Sequence, residues 1–130
     1  MARFLVIDDD NAYREMIVAV LQHDGHGVAQ AATGQDGLTL FQHVPADVVI
    51  TDIVMPNANL EGMIALRTEH PGVPFIVMSG LAATSPLRLG IAELLHPEQM
   101  LEKPFKLADL LRAIDAVLAR LPARPAGDKS

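Results

Sequence analysis

Two kinds of apolar pattern alternate along the chain. Unbroken runs at residues 4–7 (Phe-Leu-Val-Ile), 47–51 (Asp-Val-Val-Ile-Thr) and 74–78 (Pro-Phe-Ile-Val-Met) have the character of strands buried on both faces. Residues 28–32 give a weaker strand, poor in β-branched side chains, and residues 99–102 a short fifth one. Between these runs apolar residues recur at three and four, the helical spacing. Tyr13, Met16, Ile17, Val20 and Leu21 form one such face, with Gly25 as the expected C-terminal cap. Leu40, Phe41 and Val44 mark a second helix, stopped near Pro45, and Leu60, Met63, Ile64 and Arg67 a third, ended by His70-Pro71-Gly72. Leu87, Ile91, Leu94 and Leu95 give a fourth, opened by Ser85 as N-cap and Pro86 at the first helical position. Leu107, Leu110, Leu111, Ile114, Val117, Leu118 and Leu121 give the last, stopped by Pro122. Strict alternation of strands and helices predicts an α/β fold, a parallel sheet with helices wound onto both faces.

A chain of 130 residues, half of them hydrophobic, suits one domain with a substantial core. We expect that domain over residues 1–121 and a disordered tail over 122–130, where small, polar and proline residues collect. Net charge is −6, and no Lys/Arg cluster is present to meet a phosphate backbone, which argues against direct nucleic-acid binding. No apolar run approaches the roughly 20 residues of a membrane span. The first carboxylate comes at Asp8, too early for a secretory leader, so a cytoplasmic protein is expected. The absence of cysteine excludes disulfides and thiolate metal sites. Glycines 62 and 90 interrupt predicted helices and mark either weak helix or elements that move.

Chemistry collects where the strands end. The first strand runs into Asp8-Asp9-Asp10, the third into Asp52, the fourth into Ser79 and the fifth into Lys103. In an open parallel sheet these ends share one edge, where ligands bind. Asp10 or Asn11 is the expected cap of the following helix. Neighbouring carboxylates repel unless a cation intervenes, and Mg²⁺, a hard ion that joins carboxylates to phosphate oxygens, suits the gap. A lysine would meet phosphate as a point charge, and a serine hydroxyl could donate to it. Acceptor carboxylate, metal, Lys and Ser together point to phosphoryl transfer onto an aspartate. His23 and His26 have ligand-like spacing, but Gly25 breaks the helix between them.

From about Arg3 to Leu121 the chain resembles bacterial response-regulator receiver domains. The motifs are Val-Ile-Asp8-Asp9-Asp10, Asp47-Val-Val-Ile-Thr-Asp52-Ile-Val-Met55-Pro56, Ile-Val-Met-Ser79-Gly80 and Lys103-Pro104-Phe105. The resemblance implies a flavodoxin-like doubly wound sheet of order 2-1-3-4-5. It implies Asp52 as phosphoacceptor, Asp9 as direct metal ligand, Asp8 as a ligand acting through water, and the Val54 backbone carbonyl as a further ligand for Mg²⁺, or Mn²⁺ in its place. It implies Ser79 and Lys103 as phosphoryl contacts, and a cis bond before Pro104. The implied phosphodonor is a sensor histidine kinase or a histidine phosphotransfer protein, with a protein as output partner. Val54 and Leu81, both apolar, stand where family members place residues that govern hydrolysis, so a long-lived phosphoryl group is expected. Met100 stands where many members carry a mobile aromatic ring.

Departures from the pattern lie at Asn57-Ala58-Asn59-Leu60, where Asp and Gly are usual, and at Leu95-His96-Pro97-Glu98. The expected function is a phosphorylation switch that assists its own chemistry without being an enzyme. One rival is an interaction module of the same fold that ignores phosphate. Another is an Asp-nucleophile phosphatase, which lacks its second Asp because that position is Val54.

Overall fold

The computed structural model describes residues 2–53, 60–82 and 84–121. Five parallel strands form one sheet, β1 (Arg3–Ile7), β2 (Gly27–Ala31), β3 (Val48–Asp52), β4 (Phe75–Ser79) and β5 (Gln99–Glu102), in the order β2-β1-β3-β4-β5. Five helices connect and follow them, α1 (Asn11–His23), α2 (Gly34–His43), α3 (Leu60–Glu69), α4 (Pro86–Leu95) and α5 (Leu107–Leu118). This is the flavodoxin-like arrangement anticipated from the sequence.

The apolar strands are split by their own alternation into two cores. Leu5, Ile7, Val49, Phe75 and Val77 face α2, α3 and α4, meeting Leu38, Phe41, Met63, Leu66, Ile91 and Leu95. Their neighbours Phe4, Val6, Val48, Ile50, Ile76 and Met78 face α1 and α5, meeting Ile17, Leu21, Leu110, Ile114 and Val117. Strand side chains point alternately to the two faces, so runs that read as uniformly apolar supply both layers. The edge strand β2 is only partly buried, in keeping with its weak pattern.

Most helix ends follow their expected signals, but α5 ends at Leu118, short of the expected Leu121 and Pro122. Asp10 caps α1, accepting from the Tyr13 amide at 3.1 Å, and Gly25 turns the chain out of that helix at φ 85°. Ser85 caps α4, with Pro86 opening the helix. Some helix faces differ from expectation. In α4 the expected positions Ile91 and Leu95 are buried, but Leu87 and Leu94 are exposed. Leu40 and Val44 are exposed, and α2 packs through Gly34, Gly37, Leu38 and Phe41. Leu107, at the start of the last stripe, is also exposed. In each helix leucines or valines outnumber the places facing the sheet, so spacing alone selects too many.

The two helical glycines separate. A Cβ on Gly62 would lie 2.6 Å from the Gly34 carbonyl carbon, so the residue permits close approach of α3 to the first turn of α2. Nothing lies within 4 Å of a Cβ on Gly90. Residue 54, the loop departures at residues 57–59 and the expected tail fall outside the described residues.

Candidate functional site

Register brings the strand ends to one rim. Ile7 lies opposite Thr51, so the next residues, Asp8 and Asp52, are level. Asp52 lies opposite Met78, which sets Ser79 one step further along. Ser79 lies opposite Glu102, and Lys103 follows. The Lys103 amide donates to the Ser79 carbonyl at 2.7 Å, fixing where the lysine departs from the sheet. The Lys103–Pro104 bond is cis, as anticipated.

Asp8 and Ser79 are 0% exposed and Asp52 5%. Two carboxylates so deep need compensation. Lys103 supplies it: its Nζ donates to Asp8 Oδ2 at 2.7 Å and to Asp52 Oδ2 at 2.9 Å. Burial pushes the Asp8 carboxyl above its ordinary value, with Asp52 adding to the effect. The Lys103 and Asp10 hydrogen bonds and the lysine's charge offset part of it. For Lys103 burial works against the ammonium, but the Asp8 and Asp52 contacts together outweigh it and hold its pKa above the ordinary lysine value.

The three consecutive aspartates divide their work. Asp8 faces the lysine and accepts from the Asp10 amide at 2.9 Å. Asp9 is exposed beside it, and Asp10 caps α1. One carboxylate oxygen from each of Asp8, Asp9 and Asp52 can be chosen so that all lie within 4.8 Å of one another. An all-oxygen, all-anionic donor set with one exposed member fits a hard divalent cation that keeps part of its water. The Ser79 hydroxyl accepts from the Leu81 amide at 2.9 Å, which leaves its own proton for an acceptor in the site. Leu81 and Met100 are half-buried, Met100 against the core that faces α2, α3 and α4.

Three side chains carry more than their patterns indicated. Arg14, one turn into α1, donates to the Asp8 carbonyl at 2.7 Å, to Gln30 at 3.0 Å and to Asn11 at 2.6 Å, bracing the aspartate loop against β2. Tyr13, read from spacing as part of the apolar face of α1, lies with its ring under the Lys103 ammonium, 4.2 Å from centroid to Nζ. Arg67, on the apolar stripe of α3, is buried at the opposite end of the sheet. There it donates to the Leu95, Pro71, Val73 and His96 carbonyls and pairs with Glu98. A charge in register with an apolar stripe was the available signal for Arg67.

An aspartate rim with a bridging lysine at the carboxyl edge of a 2-1-3-4-5 sheet belongs to a recognisable class. Residues 4–115 match the response regulator receiver domain, and the chain belongs to that family. It is 30% identical to the chemotaxis protein CheY4 of Vibrio cholerae, with a TM-score of 0.79 over 90% of this chain and 98% of that one. A CheY-like receiver domain protein from Methanospirillum hungatei JF-1 gives a TM-score of 0.82 at 26% identity, over 92% and 94% of the two chains. A probable transcriptional regulatory protein of Picosynechococcus is 34% identical over 127 residues, covering 92% of this chain and 50% of that protein. The DNA-binding response regulator MtrA of Mycobacterium tuberculosis is 29% identical over 124 residues, covering 95% and 54%. The chain thus spans about half the length of these curated relatives. Among the described residues no helix is long and apolar enough to cross a membrane.

Proposed function

We propose that the protein is a two-component switch that accepts a phosphoryl group on Asp52 from a phosphohistidine of a sensor kinase or phosphotransfer protein. The observation that carries this is Lys103 bridging Asp8 and Asp52, with Asp9 clustered with them and Ser79 ending the neighbouring strand β4. An Asp52 oxygen forms the new bond to phosphorus as the phosphorus–nitrogen bond breaks, and the departing imidazole takes a proton. A Mg²⁺ ion held by Asp8, Asp9 and Asp52, with the Val54 carbonyl that the family resemblance adds, would draw charge from the phosphoryl oxygens. Lys103 turns from a carboxylate to a phosphoryl oxygen, and Ser79 donates its hydroxyl proton. The added charge of about −1.5 to −2 alters what α4, β5 and α5 present to a protein partner, with Met100 of β5 repacking into space vacated behind β4. Phosphate loss is slow because Leu81, beside Ser79, offers no hydrogen bond to an attacking water.

Acetyl phosphate is the test. One phosphoryl group per chain is expected in the presence of Mg²⁺ or Mn²⁺, none with chelator, and none in Asp52→Asn. Full labelling of Asp52→Asn would overturn the acceptor assignment. Failure of the unaltered protein to label would favour a phosphate-independent interaction module.

A further inference from the structure

Lys103 carries three N–H donors. Two are directed at Asp8 and Asp52. The remaining side of the ammonium lies over the Tyr13 ring, 4.2 Å from its centroid, well inside the range of a cation–π contact. The lysine side chain is only 13% exposed, so the ring does more than graze a solvated charge.

The position of the ring is itself determined by the site. Tyr13 is the third residue of α1, and its amide donates to Asp10, the last of the three aspartates. The loop that carries Asp8 and Asp9 therefore also sets the ring. Tyr13 further contacts Phe105, two residues past the lysine, at 5.5 Å between centroids. One aromatic ring thus touches both ends of Lys103-Pro104-Phe105.

We infer that Tyr13 is a positioning residue for phosphoryl transfer, holding the Lys103 ammonium within reach of Asp52 through the face of its ring. A lysine stem has four flexible carbons, and without a surface to lie on its head group would spread among alternative positions toward water. The two carboxylates alone cannot prevent this once the acceptor is consumed, because phosphorylation changes one of them. The ring is uncharged throughout the reaction and keeps its attraction for the ammonium before and after transfer. Its hydroxyl has no part in the contact. The inference rests on the reading of Asp52 as acceptor.

Two substitutions and two readouts test it. Tyr13→Leu keeps an apolar side chain against Phe105 and removes the π face; Tyr13→Phe keeps the face and removes the hydroxyl. The first readout is the NMR shift of the Lys103 ε-methylene protons, which the ring current of Tyr13 displaces upfield. The second is the rate of labelling by acetyl phosphate at saturating Mg²⁺. Tyr13→Leu is expected to abolish the upfield displacement and slow labelling by about three- to tenfold, in keeping with a contact of this kind. Tyr13→Phe is expected to restore the displacement and bring the rate to within about twofold of the unaltered protein. Wild-type speed in Tyr13→Leu, an undisplaced lysine signal in the unaltered protein, or equal slowing in both variants would overturn the inference. If the unaltered protein shows the displaced signal but takes no label, the acceptor reading has failed and the kinetic role of Tyr13 fails with it.

Discussion

Arg67 and Lys103 lie at opposite ends of the parallel sheet, with side chains 9% and 13% exposed, and their partners differ in kind. Arg67 is enclosed mainly by backbone. It donates to four carbonyls at 2.6 to 3.1 Å, lies over the Phe75 ring at 4.3 Å and reaches Glu98 at 3.4 Å. Glu98 is itself fastened to the Phe75 amide at 2.7 Å. Peptide carbonyls neither titrate nor leave, so this end joins α3, α4, β4 and β5 permanently. Lys103 is held by the carboxylates of Asp8 and Asp52, and burial raises the pKa of Asp8. Fixed dipoles around a buried cation make a fastening, whereas titratable groups around one make a responsive centre.

The sharpest way to break this contrast is Arg67→Met. The substitution keeps apolar bulk but leaves buried carbonyls without their donor and Glu98 without its cation. The expected loss is about 3–5 kcal/mol in urea unfolding, the range for breaking a buried charged contact. A loss below about 1 kcal/mol would show that the Arg67 contacts are dispensable.

The rim should respond to cations where the opposite end does not. Mg²⁺ at about one hundred times its dissociation constant is expected to add about 2.7 kcal/mol, read as a rise in thermal midpoint. Acidity opposes this gain. Because Asp8 is raised above the ordinary 3.8, the metal-free folded protein keeps that proton to higher pH than the unfolded chain does. Without metal, stability attributable to Asp8 therefore falls as pH rises from about 3.8 through the raised value, and the Mg²⁺ gain grows over the same interval. A midpoint shift that is flat across that interval would detach the cation from Asp8.

The smallest effect is expected for Lys103→Ala at saturating Mg²⁺, about 1 kcal/mol, because the ion neutralises the carboxylates the lysine leaves. With chelator present the loss should be larger. The same variant should fold yet show a weakened phosphate-dependent change in its amide spectrum. A normal change would remove Lys103 from the switch.

The rim was more legible than its opposite end. Asp8, Asp52 and Ser79 stand at the ends of strongly apolar strands and Lys103 follows the short β5, and a parallel sheet must place such ends together. Asp10 could be read as a cap from its position before the first helical turn. Arg67 fell on the apolar stripe of its helix, but its partners are carbonyls at residues 71, 73, 95 and 96, which no side-chain pattern records. Tyr13 faces two ways, toward the core by spacing and toward the rim by its place in the first turn, and periodicity reports only the first. Leu87 and Leu94 misled because a leucine-rich helix does not declare which leucines meet the sheet.

Position 62 shows a different kind of constraint. What stands opposite Gly62 is the Gly34 carbonyl and the Gln35 amide, all within 2.7 Å of where a methyl group would sit. A side chain that clashes with another side chain can be rescued by trimming the neighbour. Here the neighbour is peptide, with nothing to trim. Any lineage that acquires a larger residue at this site must move α2 as a body, so the position should vary only together with the placement of a whole helix and not with any single compensating residue.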